Sequence, residues 1–522
     1  MTPSFKFLVS ALTGRVWIAM TGLMVLIGCM AHTQVLAQGD TPLRVGSKRF
    51  TESYILAEIL AQTAAPHLKN PPQMRQGLGN TAIVFEALRA GQIDLYADYS
   101  GTISLEILKS ATPMTLAQMN TALAPMGLGV AIPLGFNNGY ALALRSAQAK
   151  SLGLETLSQL ARQPQLKPGL SNEFIGRADG WPGLAARYGL SQKPTALDHG
   201  LAYDALTRNQ VDLIDIYTTD AKIDHLGLAV LQDDRAYFPR YDALVLHRLD
   251  VPTRFPQAWT ALQGLNGRIK EADMIAMNAR AELNGMAFDV IARAWLQTMR
   301  AGTPAARTAD TATRGFMAKL FASDLPRLAG QHLMLVGICV VLAVLVGVPL
   351  AVLVFPHPRI RAVVLGATGL LQTVPSIALL AMLISLLGVI GTVPALVALT
   401  LYALLPIMRN TTTGLLEVHG GLKDAATALG MTAAQRLRHL ELPLALPTIV
   451  AGVRTATAIA IGTATIAAFV GAGGFGERIV TGLALNDRDL LLAGALPAAL
   501  LALVSEGLFE WLEKYLARHR RV

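Results

Sequence analysis

The chain has 522 residues, of which 52% are hydrophobic and only 15% are charged, with a formal net charge of +9. A globular domain carries about 25% charged residues, so this composition excludes a disordered chain and a wholly soluble protein. The basic excess does not indicate a nucleic-acid-binding face, because the Lys and Arg residues are sparse in a chain with 46 Gly and 26 Pro.

Residues 1–37 have the pattern of an export signal, with a basic start followed by an apolar run at residues 16–30. Three fates of this segment stay open. It could be cleaved after Ala37, lipidated at Cys29, which ends a lipobox-like run, or retained as an anchor.

Residues 38–301 mix charges, prolines and short apolar runs in ordinary globular proportions. Strand-like runs alternate with helical patterns such as Ser53–Ala61, and a helical pattern at residues 268–300 closes the domain. This alternation predicts α/β lobes with parallel-rich sheets, and two lobes with a cleft between them would suit a ligand trap. The strand-like runs lie at Leu43–Lys48, Gly129–Ile132, Tyr140–Leu144, Val211–Tyr217 and Tyr241–Leu246.

Cysteine, histidine and tyrosine usage narrows the chemistry of this domain. Cys29 and Cys339 are the two cysteines of the chain and both lie in apolar segments, so no disulfide is expected. No CxxC pair or histidine cluster predicts a metal site, and no Ser/His/Asp or paired-carboxylate pattern predicts a catalytic site. Nine of the 11 tyrosines fall in this domain, several at the ends of strand-like runs, where binding residues collect.

Residues 302–329 have the composition of a linker, and residues 330–522 have that of a membrane domain. No Asp, Glu, Lys or Arg occurs from Leu328 to Pro358 or from Ala362 to Met408. The second gap would form a helix of about 70 Å, more than twice the hydrocarbon core of about 30 Å. Pro375 and Pro394 are expected to kink or end helices. The apolar stretches predict five spans, at residues 331–355, 362–388, 392–408, 447–470 and 490–510.

A glycine-rich run, Gly471–Gly476, follows the fourth predicted span and matches the GxGxxG pattern of dinucleotide-binding loops. Such a loop needs a strand before it, whereas an apolar helix precedes this one. We therefore predict a flexible break at the outer mouth of a membrane pathway.

Basic residues cluster on alternate connectors of the membrane domain. They follow the first, third and last predicted spans, whereas the other connectors carry only Arg478 and Arg488, each beside an acidic residue. By the positive-inside rule, the loop at 409–446 and the C-terminal tail lie in the cytoplasm. The soluble domain then lies outside, in the periplasm, and the protein is a multi-pass inner-membrane protein.

The loop at 422–447 predicts a short helix, a break and a second helix. It contains Asp424-Ala425-Ala426, then Gly430, then Leu440-Glu441-Leu442-Pro443. This run resembles the EAA loop of ABC-importer permeases, with Asp in place of Glu and Leu in place of Ile. The resemblance implies ATPase-coupling positions at Asp424, Ala425, Ala426, Gly430, Leu442 and Pro443.

In that family the loop docks into a separate ATPase chain, which uses ATP and Mg. No Lys directly follows a Gly anywhere in this chain, so a phosphate-binding GxxxxGK loop is absent. ATP hydrolysis is therefore expected to belong to another chain, with no cofactor bound by this one.

Both halves resemble one family, the osmoprotectant importers for glycine betaine, choline and carnitine. The membrane half carries the resemblance at residues 371–376, 401–410 and 454–465, and the soluble half at residues 46–52, 94–102, 135–140 and 215–220. The resemblance implies a multidomain protein, in which a two-lobed α/β periplasmic-binding-protein domain, type II-like, is followed by an all-α polytopic permease domain. It also implies that two permease domains pair around one pathway.

In that family a quaternary ammonium group sits in a box of tyrosines, and the motifs carry this role over to Tyr99, Tyr140, Tyr217 and Tyr241. A trimethylammonium group offers no conventional hydrogen bond, so aromatic faces hold it best, each contributing about 0.5–2 kcal/mol. A carboxylate on the ligand would need donors. The resemblance implies Lys48, Thr102 and Arg177 for that part.

The sequence therefore predicts the substrate-binding and permease subunit of an ATP-driven ABC importer for quaternary ammonium compatible solutes, with neither enzyme activity nor nucleic-acid binding. Two alternatives stay open. The ligand could be another trimethylated or cationic amino acid, or the chain could be a membrane-anchored sensor or exported enzyme whose spans only anchor or signal.

Overall fold

The computed structural model describes residues 41–301, 315–485 and 487–518. Residues 41–301 form an α/β domain of two lobes, and residues 315–518 form a helical domain. The predicted fold class is confirmed. The predicted signal segment and the first part of the predicted linker lie outside the described residues.

Two five-stranded sheets form the centres of the two lobes. The strands are β1 (Arg44–Gly46), β2 (Gln73–Arg75), β3 (Leu95–Tyr99), β4 (Leu128–Ala131), β5 (Tyr140–Arg145), β6 (Pro168–Ser171), β7 (Thr195–Leu197), β8 (Leu213–Tyr217), β9 (Leu228–Leu231) and β10 (Ala243–Arg248). The first sheet has the order β2-β1-β3-β10-β4 and the second the order β7-β6-β8-β5-β9. In each sheet the fourth strand runs antiparallel to both of its neighbours.

Helices connect and cover the strands. Several begin at capping side chains: Asn80 accepts from the N–H of Ile83, and Ser171 from that of Phe174. The helices of this domain are α1 (Thr51–Ala64), α2 (Thr81–Arg89), α3 (Leu116–Leu123), α4 (Ser146–Leu152), α5 (Leu157–Leu160), α6 (Asn172–Gly176), α7 (Trp181–Tyr188), α8 (His199–Thr207), α9 (Lys222–His225), α10 (Val251–Arg254), α11 (Pro256–Gln263), α12 (Glu271–Glu282) and α13 (Phe288–Ala301).

The chain crosses between the lobes twice, at residues 132–139 and 232–242. The two crossovers touch through a β-bridge between Asn137 and Asp242. The closing helices α11, α12 and α13 return to the first lobe and pack against α1. A ligand cleft therefore lies between two lobes that are joined by paired crossovers.

The helical domain contains α14 (Phe316–Leu320), α15 (Leu325–Val354), α16 (Pro358–Thr373), α17 (Ser376–Leu387), α18 (Thr392–Glu417), α19 (Gly420–Ala428), α20 (Ala433–Arg436), α21 (Leu442–Ala464), α22 (Gly476–Leu485) and α23 (Arg488–Arg518). Four stretches of the described residues are long and apolar enough to cross a membrane, namely α15, α18, the continuous helical stretch Ala433–Val470 and α23.

Two features of the membrane half refine the predictions. The predicted span at 362–388 is a bent pair, as expected from Pro375, because α16 and α17 meet at 101° around this residue, which has no N–H to continue the helix. Pro394 does not kink or end a helix, since it lies in the first turn of α18.

The predicted linker at 302–329 is partly helical, since it contains α14 and the first turn of α15. Asp324, just before α15, is tied to Arg478 by an ion pair of 2.6 Å, which holds this segment against α22.

Candidate functional site

Sheet topology places the four predicted tyrosines at the cleft-facing edges of the lobes. β3 ends at Tyr99 and β8 ends at Tyr217. An antiparallel neighbour begins where a strand ends, so Tyr140 at the start of β5 pairs with Tyr217. Tyr241 lies just before β10, whose first residue pairs with Tyr99.

Tyr140 is the centre of the aromatic group. Its ring centroid lies 5.2 Å from that of Tyr217 and 5.6 Å from that of Tyr241, which meets it edge-on. Tyr99 joins them through Phe50, whose ring centroid lies 6.4 Å from Tyr99 and 5.5 Å from Tyr217. The structure thus brings three predicted tyrosines into direct contact and links the fourth through an aromatic residue that the sequence reasoning missed.

The Phe50 ring could have been noticed from its position, since it lies in the loop that follows β1 and precedes α1. Phe174 is a second missed ring, with its centroid 5.0 Å from that of Tyr140. It lies in α6, directly after β6, and strand-to-helix connections of this kind collect binding residues.

Arg177, a predicted donor to a ligand carboxylate, already has carboxylate partners. Its Nε and Nη2 donate to the two oxygens of Asp179 at 2.8 and 2.5 Å, and its Nη1 lies 3.5 Å from Glu173. The guanidinium also lies over the ring of Tyr140, 5.5 Å from its centroid. The face of Tyr140 therefore already accepts a cation within the protein.

The two other predicted donors are also engaged. The Nζ of Lys48 donates to Asp98 at 2.5 Å, and it lies 5.5 Å from the ring centroid of Tyr99. Thr102 accepts a bond of 3.4 Å from Arg177. The roles of Lys48, Thr102 and Arg177 as ligand contacts stay predictions.

A cavity of about 220 Å³ lies between the lobes. The first lobe contributes the loops after β1 and β2, and the second contributes the loop after β6, the start of α8 and the end of β8. Of the predicted residues, Lys48 and Tyr217 line it directly, together with Phe50, Glu173 and His199. The cavity is small and mixes aromatic and charged walls, which suits a small charged solute.

His199 is a missed residue with unusual electrostatics. Its Nε2 lies 3.1 Å from Asp220 and its ring centroid lies 4.4 Å from that of Tyr217. Burial lowers the pKa of this imidazole, but Asp220 and Asp215 outweigh burial and raise the pKa to about 9. His199 is therefore a protonated group beside the tyrosines. The signal that could have identified His199 from the sequence is its position in the first turn of the helix that follows β7.

Comparison with known proteins identifies both halves of the chain. Residues 41–298 match the substrate-binding domain of the ABC-type glycine betaine transport system, and residues 343–520 match the inner-membrane component of binding-protein-dependent transport systems. The osmoprotectant import permease protein OsmW of Salmonella typhimurium is 46% identical over 196 residues, which are 37% of this chain and 91% of that protein. The chain belongs to the ABC-importer family.

Two further relatives resemble the binding half of this ABC-importer subunit or share its fused plan. The glycine-betaine-binding protein of Pseudomonas aeruginosa is 34% identical over 268 residues, which are 48% of this chain and 84% of that protein. The ergothioneine transport permease/ergothioneine binding protein EgtU of Helicobacter pylori is 31% identical over 273 residues, which are 50% of this chain and 48% of that protein.

The glycine-rich run of this importer subunit lies against its binding domain. The guanidinium of Arg49 stacks over Phe469 at 4.7 Å, and a side chain at Gly471 would come within 2.5 Å of Leu78. α8 of the second lobe packs against α22. The run is therefore a contact surface between the two halves, and it has a left-handed backbone at Gly471, Gly473 and Gly474.

The predicted ATPase-coupling loop lies at the opposite end of α21. Asp424 and Ala425 are exposed on α19, whereas Ala426 is buried. Gly430 ends this helix with a φ of +80°. Leu442 and Pro443 form the first turn of α21. Leu422 and Leu429, also exposed, add apolar surface to α19 and its end.

Proposed function

We propose that this chain is the substrate-binding and permease subunit of an ABC importer for quaternary ammonium compatible solutes, such as glycine betaine, choline or carnitine. One observation carries the substrate class: Tyr217 and Tyr241 both pack against Tyr140 at the cleft-facing edges of the two lobes. The relatives named for osmoprotectants and for glycine betaine support the same class.

A trimethylammonium group has no N–H with which to donate a hydrogen bond. It is attracted instead by the negative face of an aromatic ring. Tyr140 already holds the guanidinium of Arg177 in this way. Binding of a ligand cation would therefore compete with Arg177 for the ring of Tyr140, while Asp179 keeps the displaced guanidinium paired.

A trimethylated amino acid other than glycine betaine is a second candidate ligand. The similarity to the ergothioneine-binding protein favours it, because ergothioneine is itself a trimethylammonium betaine. The imidazolium of His199 and the side chain of Lys48 would face the carboxylate of such a ligand, since both residues line the cavity beside Tyr217.

The protein is an integral membrane protein of a family whose members work with an ATPase and take a small-molecule ligand. Within our proposal, the binding domain is extracytoplasmic and the basic tail is cytoplasmic. A separate ATPase, which uses ATP and Mg, binds the EAA-like loop through α19, and two copies of this chain pair around one pathway. No ATP hydrolysis is assigned to this chain itself.

Equilibrium binding of radiolabelled glycine betaine and choline to the full chain tests the proposal. Tyr140→Ala and Tyr217→Ala should weaken binding about tenfold or more, whereas Tyr140→Phe and Tyr217→Phe, which keep the rings, should stay within a few-fold of the parent. Equal binding by the Ala variants would contradict the tyrosine box. Failure to co-purify any ATPase would favour the sensor alternative.

A further inference from the structure

Glu52 is a buried carboxylate that the site described so far does not use. It lies in the first turn of α1 and is 2% exposed. Four side chains donate hydrogen bonds to it. Tyr99 and Asn138 donate to Oε1, and Thr219 and Asn278 donate to Oε2.

The four donors come from four separate parts of the binding domain. Tyr99 ends β3 in the first lobe, and Asn138 lies in the first crossover, 2.9 Å from Glu52. Thr219 follows β8 in the second lobe and donates at 2.5 Å. Asn278 belongs to the closing helix α12 and donates at 3.2 Å. One carboxylate therefore joins both lobes, a crossover and the closing helix.

The donors are also connected to one another. Asn278 donates to the backbone carbonyl of Thr219 at 3.1 Å, and the backbone N–H of Thr219 donates to Asn138 at 3.4 Å. The lobes can separate only if Thr219 leaves Glu52, because Thr219 alone among the four donors belongs to the second lobe. Closure of the cleft therefore supplies Glu52 with one of its four donors, and the other three remain with it whether or not the lobes are closed.

We propose that Glu52 is a positioning residue for ligand binding, which holds the lobes closed through Thr219 and orients the ring of Tyr99 toward a bound cation. This proposal rests on the proposed function. The phenol of Tyr99 donates to a carboxylate, so its ring gains negative charge density, and a richer ring is a better partner for a quaternary ammonium group.

Stability alone does not explain this residue. Burial raises the pKa of Glu52 to about 6, although the four hydrogen bonds oppose the rise. A carboxyl group whose pKa is higher in the folded than in the unfolded protein loses folding stability as pH rises through that interval. At neutral pH ionisation of Glu52 therefore costs folding stability relative to its protonated form, and a cost of this kind is typical of a group kept for function.

Double-mutant cycles on ligand affinity test the proposal, with radiolabelled glycine betaine and choline as probes and the full chain as the protein. Glu52→Gln should weaken binding tenfold to a hundredfold, the range expected when buried donors lose a charged acceptor. In a Tyr99→Phe or Thr219→Val background, Glu52→Gln should weaken binding clearly less, because one hydrogen-bond donor to Glu52 is already removed. Glu58→Gln is the matched control on the same helix, since the carboxylate of Glu58 accepts hydrogen bonds from Gln62 and Gln76, both in the first lobe.

Additive losses of ligand affinity in both cycles would overturn the proposal, because they would show that the effect of Glu52→Gln does not depend on Tyr99 or Thr219. A general loss of folding would give such additive losses. If Glu52→Gln fails to fold, as judged by its thermal-unfolding midpoint, the cycle of Tyr99→Phe with Thr219→Val decides in its place. These two side chains bind different oxygens of Glu52, so coupling between them supports the proposal and independence overturns it. Absence of binding by the parent chain would instead contradict the proposed function.

Discussion

The guanidinium of Arg49 lies 4.7 Å from the ring centroid of Phe469, and this contact joins the edge of the ligand cleft to the membrane half of the chain. Arg49 also lines the cavity between the lobes. A side chain that faces both the cleft and the permease domain is placed to respond to the state of each.

Phe469→Ala should therefore reduce uptake of glycine betaine several-fold in cells that contain the partner ATPase, while the affinity of the binding domain stays unchanged. The reason is that the change removes a cation–π contact between the halves but leaves every cavity-lining side chain, including that of Arg49, in the protein. Phe321→Ala is the matched control, since Phe321 is 72% exposed. Equal uptake by both variants would show that the contact has no role in transport.

Asp179→Ala should destabilise the binding domain by about 3 kcal/mol, because breaking a buried ion pair leaves an uncompensated charge. Arg177 is 4% exposed, and Tyr241 also donates to Asp179, at 2.8 Å. Denaturant unfolding followed by tryptophan fluorescence measures the loss. Glu86→Ala, which breaks the exposed pair with Arg89, should cost less than about 1 kcal/mol. A similar cost for both variants would contradict this expectation.

Stability should fall as pH rises from about 6.5 to about 9, because the pKa of His199 is raised to about 9 in the folded protein. A raised histidine pKa contributes stability that is complete below 6.5 and lost as pH passes the folded value. The pKa of Asp220 is lowered by its pairing with His199, although burial opposes this. The folding stability that the Asp220 carboxylate contributes is therefore lost only when it is protonated in acid.

The thermal-unfolding midpoint between pH 6 and pH 9.5 measures this dependence. His199→Gln should flatten the alkaline slope, whereas His67→Gln, at an exposed position, should leave it as it is. An unchanged slope in His199→Gln would refute the assignment of that slope to the pair of His199 and Asp220.

Gly430→Ala should weaken co-purification of the ATPase. A methyl group at Gly430 meets open space, but the φ of +80° is unfavourable for a residue with a Cβ, by about 1–2 kcal/mol. Gly421→Ala is the control within α19, where a methyl group also meets open space and the backbone is helical. Retention of the ATPase by Gly430→Ala at the level of Gly421→Ala would mean that this backbone turn is not needed for coupling.

The elements of the binding domain were largely predictable, because hydrophobic alternation and strand ends are local properties. The pattern at Ser53–Ala61 corresponds to α1, and the run at Tyr140–Leu144 corresponds to β5. The membrane helices were predicted from stretches without charged residues. The length of such a stretch does not reveal a bend, and the signal for the bend was Pro375 itself.

The partners of the predicted donors were not predictable to the same degree. Lys48 and Asp98 are 50 positions apart, and only the pairing of neighbouring strands brings them together. Arg177 and Asp179 are two residues apart, and this spacing could have suggested an ion pair. The role of Glu52 depends on donors from four segments, and no local pattern encodes such a convergence.

The bent pair α16 and α17 also decides whether the number of membrane crossings is odd or even. The four long helical stretches would by themselves return the chain to the face from which it entered. A binding domain on one face and a basic tail on the other require an odd number of crossings. Under the proposed orientation, the bent pair therefore crosses as one L-shaped span. Tyr402 makes this possible, because its hydroxyl donates at 2.6 Å to the Val374 carbonyl at the break, where lipid would offer that carbonyl no partner.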